Sequence, residues 1–313
     1  MKKTIITVVI VIVAIIGVAY LFRSPAKVSP IDLSVDTSPV NMASSTTSTT
    51  TVQSTSTPNI AVTDGSTISI GQSVASRPIN AYHFGSGSKE LLFVGGIHGG
   101  YEWNTVLVAY ELIDYLKANP TDIPSNVRVT VIPVLNPDGL MQVVGTTSGN
   151  FTKSDVSTDA AIVKAGRFNG NNVDLNRNFD CDWQATGKWQ NSNVSGGSAA
   201  FSEPESQAIK NYIETSKPAA VVVWYSAAGG VYASNCHNGV STETKAIMNK
   251  FSSASAYSAN DSFDFYSTTG DMTNWLAKND IPTISVLLTN HTDTEWSRNL
   301  AGVKAVLKYY ADQ

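Results

Sequence analysis

The chain has 313 residues, a net charge of −4 and an apolar content of 42%, which is ordinary for a globular protein. That length allows one large α/β domain or two small ones. The charge gives no basic surface of the kind that binds nucleic acid, so no nucleic-acid partner is predicted. Two cysteines, Cys181 and Cys236, are too few for a disulfide scaffold and lack zinc-finger spacing.

An uncharged apolar run follows the basic start "MKK" and extends over residues 4–22. About 20 apolar residues are enough to cross a bilayer as a helix. A cleaved signal peptide is the alternative, but its apolar core is usually shorter, about 7–15 residues, with a small-residue cleavage site after it. We predict an N-terminal membrane anchor (or signal peptide) at residues 1–22. The positive end should stay in the cytoplasm, which places the rest of the chain in the extracellular or periplasmic space.

A Ser/Thr-rich stretch over residues 41–59 has too little apolar surface to offset the entropy of ordering. We therefore predict a flexible linker at residues 23–59 and one folded domain at residues 60–313. Outside the membrane, Cys181 and Cys236 can oxidise to a single disulfide. The alternative is two buried free thiols.

Within residues 60–313, apolar runs typical of strands alternate with segments of helical periodicity. Strands are predicted at 90–97, 127–139 (ended by a Pro-Asp-Gly turn), 219–226 and 282–290, and helices at 104–119, 202–216, 272–279 and 294–312. Continuous apolar strands between helices predict an α/β fold, a mostly parallel mixed sheet flanked by helices on both faces. Sites in such sheets lie at the carboxyl ends of strands, where His98, Asn136, Tyr225 and Thr289 fall.

The stretch "GGIHGGYEWNT" offers two candidate metal ligands directly after the first of these strands. They are His98 and Glu102. The alternative is a buried histidine and an acidic residue in the first turn of a helix.

A loop dense in Asn, Asp and Arg, residues 169–183, suits the binding of a carboxylate. Arg177 stands between two asparagines, and its planar guanidinium can pair bidentately with a carboxylate. Arg167 precedes it by ten residues and can point a second guanidinium into the same cleft. The alternative is that the arginine lies on the surface and forms an ion pair with Asp174 or Asp180.

These motifs, in this order, resemble the carboxypeptidase A-like zinc metallocarboxypeptidases. The histidine and glutamate after a strand come first, "NVDLNRNFD" follows, and Tyr266 then precedes Trp275 in "YSTTGDMTNW". The resemblance covers nearly all of residues 60–313. The opening stretch, residues 71–87, is similar to the start of bacterial members, so a bacterial-type, membrane-tethered member is indicated.

The resemblance implies a role for each motif residue. His98 and Glu102 match the first two zinc ligands, and Asn176 and Arg177 match the residues that bind the substrate's terminal carboxylate. Arg167 matches the arginine that stabilises the developing oxyanion. Tyr266 matches the mobile tyrosine that closes over the substrate. Thr273 stands where the family sets side-chain preference, and a neutral residue there argues against a C-terminal Lys or Arg. Family members usually have two residues between the first two ligands, whereas this chain has three; a Gly-Gly loop can absorb the extra residue.

Two family positions are filled by other residues. Tyr225 stands where the third zinc ligand, a histidine, is expected, and Leu287 where the catalytic glutamate is expected. A phenol must lose a proton of pKa near 10 to ligate zinc well, and leucine cannot accept a proton. Only weak or partial zinc binding is therefore expected. His237, His291 and Glu295 are the candidate replacements.

Three functions compete at this point. The first is a membrane-tethered zinc carboxypeptidase that hydrolyses C-terminal residues of peptides or of cell-wall peptides. The second is a relative without activity that only binds peptide C-termini. The third is a serine hydrolase or glycosidase, which is disfavoured because no G-x-S-x-G motif appears. The resemblance and the two substitutions together favour a zinc carboxypeptidase-family protein whose activity is impaired or absent.

Overall fold

The computed structural model describes residues 64–313. The predicted anchor at residues 1–22 and linker at 23–59 lie outside the described residues and remain predictions. Within residues 64–313, no helix combines the length and the apolar character that crossing a bilayer requires.

A mixed sheet of eight strands forms the centre of the domain, in the order β1-β2-β4-β3-β7-β10-β8-β9. The strands are β1 Thr67–Gln72, β2 Pro78–Phe84, β3 Lys89–Val94, β4 Val127–Ile132, β5 Thr186–Trp189, β6 Ser192–Ser195, β7 Ala220–Ser226, β8 Gly230–Ala233, β9 Ser258–Asn260 and β10 Thr283–Leu288. The central strands β4, β3, β7 and β10 are mutually parallel. The pairs β1-β2, β2-β4 and β8-β10 are antiparallel, and β5 and β6 form a separate hairpin.

Residues 64–313 contain seven α-helices, and five of them pack on the two faces of this sheet. The seven helices are α1 Trp103–Ala118, α2 Pro137–Val144, α3 Ala160–Ala165, α4 Pro204–Ser216, α5 Thr242–Ser255, α6 Met272–Lys278 and α7 Trp296–Ala311. Helices α1, α5 and α7 share one core cluster with alternate residues of β3 such as Leu91, whereas α4 and α6 share the other with residues such as Leu92. Successive strand residues point to opposite faces, so a strand buried on both sides reads as a continuous apolar run. The predicted fold class is confirmed.

The predicted Pro-Asp-Gly turn after β4 is wrong. Strand β4 ends at Ile132, and Pro137 begins helix α2 instead. The Asn136 side chain accepts a hydrogen bond from the Gly139 N–H at 2.9 Å, which caps the helix. Proline is well suited to the first helical position because it has no N–H to leave without a partner.

The cysteines form the predicted disulfide, Cys181–Cys236, which joins positions 55 residues apart in the chain. The alternative of two free thiols is therefore excluded. The cross-link connects the loop that follows Arg177 to the loop that follows β8.

A buried histidine under helix α4 should make stability depend on pH. His83 is fully buried, with its Nδ1 3.0 Å from Thr130 Oγ1. Burial lowers the pKa of His83, the charge of Glu90 partly opposes this, and Arg128 adds to it. Since the unfolded chain binds a proton near pH 6.5 that the folded chain resists, the free energy of unfolding should fall as the pH drops below that value.

Urea titrations between pH 7 and pH 5 test this, and His83→Gln should flatten the dependence of the unfolding free energy on pH. His237→Gln is the matched control, because that histidine side chain is 70% exposed. An unchanged slope in the His83 variant would show that other groups produce the acid sensitivity.

Candidate active site

The loop after β3 brings His98 and Glu102 together at the carboxyl end of the parallel strands. Residues Gly99–Glu102 form one 3-10 turn, and His98 Nδ1 lies 2.8 Å from Glu102 Oε1. Gly99 has a φ of +47°, and a Cβ on Gly100 would lie 2.4 Å from Val143. Both positions therefore need glycine, and the turn they form accommodates the additional residue between the histidine and the glutamate.

The His98 ring is buried beside a second carboxylate. Its Nε2 lies 3.5 Å from Asp174 Oδ1, but neither ring nitrogen makes a hydrogen bond of good geometry within residues 64–313. The backbone N–H of Ser226 donates to Glu102 Oε2 at 3.1 Å, which fixes that carboxylate.

Arg167 is held by an ion pair and by an aromatic ring. Its Nε donates to Asp174 Oδ2 at 2.9 Å, and the guanidinium lies 4.5 Å from the centre of the Trp189 ring. Burial alone would raise the pKa of Asp174, but the charge of Arg167 and the contact with His98 hold that pKa well below its usual range. The Nη2 group of Arg167 is buried and has no hydrogen-bond partner within the described residues, so it is free to bind an oxygen of a ligand.

Asn176 and Arg177 lie on a 3-10 turn, and hydrogen bonds to neighbouring groups orient both side chains. Arg177 Nε and Nη2 donate to the Lys188 carbonyl at 2.9 and 2.7 Å, and Nη1 donates to the Asn176 carbonyl at 2.5 Å. One further N–H on each terminal nitrogen is left for a ligand. The Asn176 Oδ1 accepts from the Tyr225 hydroxyl at 3.3 Å and from the Met272 N–H at 3.0 Å, so the amide Nδ2 remains as a donor. The predicted alternative of a surface arginine is excluded, because Arg177 is 1% exposed.

Tyr225 and Leu287, which the resemblance predicts at two substituted family positions, are neighbours in the sheet. Leu287 on β10 pairs in parallel register with Tyr225 on β7, and both line the pocket that contains His98, Glu102 and Arg177. The Tyr225 ring centre is 5.6 Å from that of His98. Burial first, and then the charge of Asp271, raise the pKa of the Tyr225 phenol well above its usual value. The phenol therefore stays protonated at neutral pH.

The potential metal ligands around Tyr225 do not fit a catalytic zinc ion. Such an ion takes three protein ligands and an open water position. His98 and Glu102 can supply two, and Tyr225, the residue predicted at the third ligand position, carries a protonated phenol. Within residues 64–313, the one group of three suitable ligand atoms is Cys181, Cys236 and His237, and its two sulfurs form the disulfide.

The structure brings one of the three candidate replacements into the site. His291 lines a cleft together with Glu102, Arg167 and Leu287, and its Nδ1 lies 2.9 Å from Ser226 Oγ. Burial lowers the pKa of His291, although the charge of Glu102 partly opposes this.

The other two candidate replacements have partners elsewhere. His237 is exposed and lies 2.9 Å from Asp182. Glu295 accepts from the Thr289 N–H at 2.7 Å and from the Tyr257 hydroxyl at 2.8 Å. Neither lines the pocket or the cleft.

Tyr266 and Thr273 both lie in the predicted site. The Tyr266 ring is 5.9 Å from the guanidinium carbon of Arg177, and burial raises the pKa of its phenol. The Thr273 hydroxyl donates to Asp271 Oδ1 at 2.9 Å. Asp271 and Trp189 were not predicted as site residues. An acidic residue directly before a helix was a signal for Asp271, whereas nothing in the local sequence marks Trp189.

Most of the chain is similar to one known protein family. A family model described as zinc carboxypeptidase matches residues 63–295. Human carboxypeptidase D is 32% identical over 124 residues, a match that covers 36% of this chain and 8% of that protein, so the chain spans a small part of this relative.

Two solved structures share the fold. Carboxypeptidase A from Helicoverpa armigera has a TM-score of 0.62 at 19% identity, covering 79% of this chain and 68% of that one. Murein-tripeptide amidase from Escherichia coli O157 has a TM-score of 0.55 at 21% identity, covering 79% and 93%.

Proposed function

Because the chain belongs to the zinc carboxypeptidase family, we propose that it binds the C-terminal end of a peptide and hydrolyses it slowly or not at all. One observation carries the proposal. Tyr225 and Leu287 lie side by side in the pocket, where a metal ligand and a proton acceptor are expected. The residues expected to bind the ligand are present, whereas two that would act on it are not.

Binding would be performed by Asn176 and Arg177. The free N–H groups of a buried guanidinium form strong charge-assisted hydrogen bonds with a carboxylate, and the Asn176 amide adds a donor beside them. The Tyr266 ring beside Arg177 would cover the bound end and exclude water from it. Arg167 would hold the carbonyl oxygen of the last peptide bond through its unpartnered Nη2.

Hydrolysis requires a fully ligated metal ion and a proton acceptor, and this chain would lack a residue for each. A family zinc ion, when fully ligated, would polarise the carbonyl and activate water. His98 and Glu102 would hold such an ion weakly, because two protein ligands leave most of the coordination to water. Leu287 cannot take a proton from water or return it to the leaving amine, a contribution of about 10²–10⁴ in rate.

We place this activity outside the cytoplasm, with the chain tethered by residues 1–22. The uncharged run at residues 4–22 supports the tether. The disulfide supports the location, since disulfides persist in oxidising compartments.

A second candidate is an active carboxypeptidase that uses His291 in place of a missing group, with cell-wall peptides as a substrate class. The position of His291 in the cleft beside Glu102 and Leu287 favours it. His237 and Glu295 do not support this candidate, because their side chains are paired outside the cleft.

Metal analysis of the purified full chain, together with release and binding assays on peptides of varied C-terminus, separates the two candidates. We expect well under one zinc ion per chain, little release of the terminal residue, and binding that requires a free terminal carboxylate. Stoichiometric zinc with rapid release that is abolished by His291→Gln would support the second candidate instead.

A further inference from the structure

Four side chains of metal-ligand type meet where the disulfide joins two loops. Each cysteine is followed in the chain by another potential ligand, Cys181 by Asp182 and Cys236 by His237. One ligand atom from each of Cys181, Cys236 and His237 lies within 4.8 Å of the other two. None of the four residues lines the pocket or the cleft, so the cluster is separate from the site of the proposed function.

The surroundings of His237 suit an imidazole that binds a metal. Its Nε2 lies 2.9 Å from Asp182 Oδ1, so Nδ1 is the ring nitrogen left for a ligand. A carboxylate that accepts from the second nitrogen of a ligating histidine fixes the ring and raises its basicity. The histidine side chain is 70% exposed and both cysteines are buried, so an ion can arrive from solvent and be held against the protein.

The oxidised chain cannot use this cluster, because its two sulfurs are bonded to each other. A dithiol reductant would transfer two electrons to the S–S bond, which breaks, and would itself become a disulfide. The two cysteine thiols would then lose their protons to solvent as they bind an ion, since the thiolate is the form that ligates metals.

We propose that reduction converts this disulfide into a binding site for Zn²⁺, ligated by Cys181, Cys236 and His237 with one position open to water. Thiolates and imidazole are ligands that zinc prefers. The ion joins the same two loops that the disulfide joins, and a reduced chain without the ion has neither link. The disulfide and the metal exclude each other, because bound zinc occupies both thiolates and oxidation removes them as ligands.

Titration of the reduced full chain in detergent with Co²⁺ tests the proposal, since cobalt replaces zinc in such sites and its thiolate complexes absorb light. A water-soluble phosphine, removed without air before the titration, reduces the chain and avoids a dithiol that would compete for the metal. We expect about one cobalt ion per reduced chain, with a thiolate-to-cobalt charge-transfer band in the near ultraviolet that added Zn²⁺ abolishes. The oxidised chain should lack this band, and an ion held by His98 and Glu102 would not produce it.

Two variants locate the site. Asp182→Asn should weaken cobalt binding by about tenfold to a hundredfold, as expected when a ligating histidine loses its carboxylate partner, and His237→Gln should weaken it further. Asp180→Asn is the matched control, because this carboxylate lies on the same loop but pairs with Lys278. All three substituted side chains are more than half exposed, so the fold should be retained.

Three results would each overturn the proposal. They are a reduced chain that binds no cobalt, cobalt binding without the charge-transfer band, and a His237→Gln variant whose band and affinity are unchanged.

Discussion

Replacing Tyr225 with histidine and Leu287 with glutamate in one chain is expected to raise zinc content to about one ion per chain. Release of C-terminal residues should rise with it, by about 10²-fold or more. The two positions are register partners on adjacent parallel strands, so both new side chains would enter the pocket beside His98 and Glu102. Zinc content by mass spectrometry and release from a chromogenic peptide are the two measurements.

Neither single change should be sufficient to restore release of C-terminal residues. The metal ion and the base act on the same water molecule, and the effects of such groups are far from additive. Tyr225→His alone should raise zinc content more than activity. Tyr225→Phe combined with Leu287→Met is the control, since it alters the same positions without adding a ligand or a base. Full zinc occupancy and rapid release by the unmodified chain would contradict the prediction and direct attention to His291.

The second large effect is expected at Arg177. Arg177→Ala should weaken binding of peptides with a free terminal carboxylate by about tenfold or more, as expected for loss of charge-assisted hydrogen bonds. Amidated peptides should bind the variant as they bind the unmodified chain. The ratio of the two affinities is the measurement.

That ratio separates recognition from stability. Arg177 also donates to the carbonyls of Asn176 and Lys188, so its removal takes three hydrogen bonds from these two carbonyls and should lower the melting temperature. Arg128→Ala is the matched control, because Arg128 pairs with Glu90 outside the pocket. A similar loss for free-acid and amidated peptides in the Arg177 variant would show that Arg177 does not bind the carboxylate.

The central strands β3, β4, β7 and β10 could be predicted from sequence because they are buried on both faces and are therefore apolar throughout. The edge strands were not predicted. Strands β1 and β9 are mostly exposed or half-exposed and carry Ser, Thr, Gly and Asn, so their local composition resembles that of loops. Their pairing is set by distant residues, which a local pattern does not contain.

The site was predictable where one residue type is tied to one chemistry. His98, Glu102, Asn176 and Arg177 fall in one pocket, as their motifs indicated. The Asp271 carboxylate was not predicted as a site residue, because an acidic residue directly before a helix indicates a helix cap, and Asp271 does cap that helix.

The disulfide has a consequence for how this protein must be produced. Cys236 follows Asn235, which lines the pocket, and the Asn235 N–H donates to the Asn274 side chain at 2.9 Å. On the other loop, the carbonyl of Cys181 accepts from the Gly270 N–H at 2.7 Å. One covalent bond thus holds two loops around the ligand position before any ligand arrives. Protein expressed in a reducing cytosol should keep its sheet and lose affinity, since each binding event must then order those loops again. Export to an oxidising compartment is therefore the appropriate expression route for assays of this site.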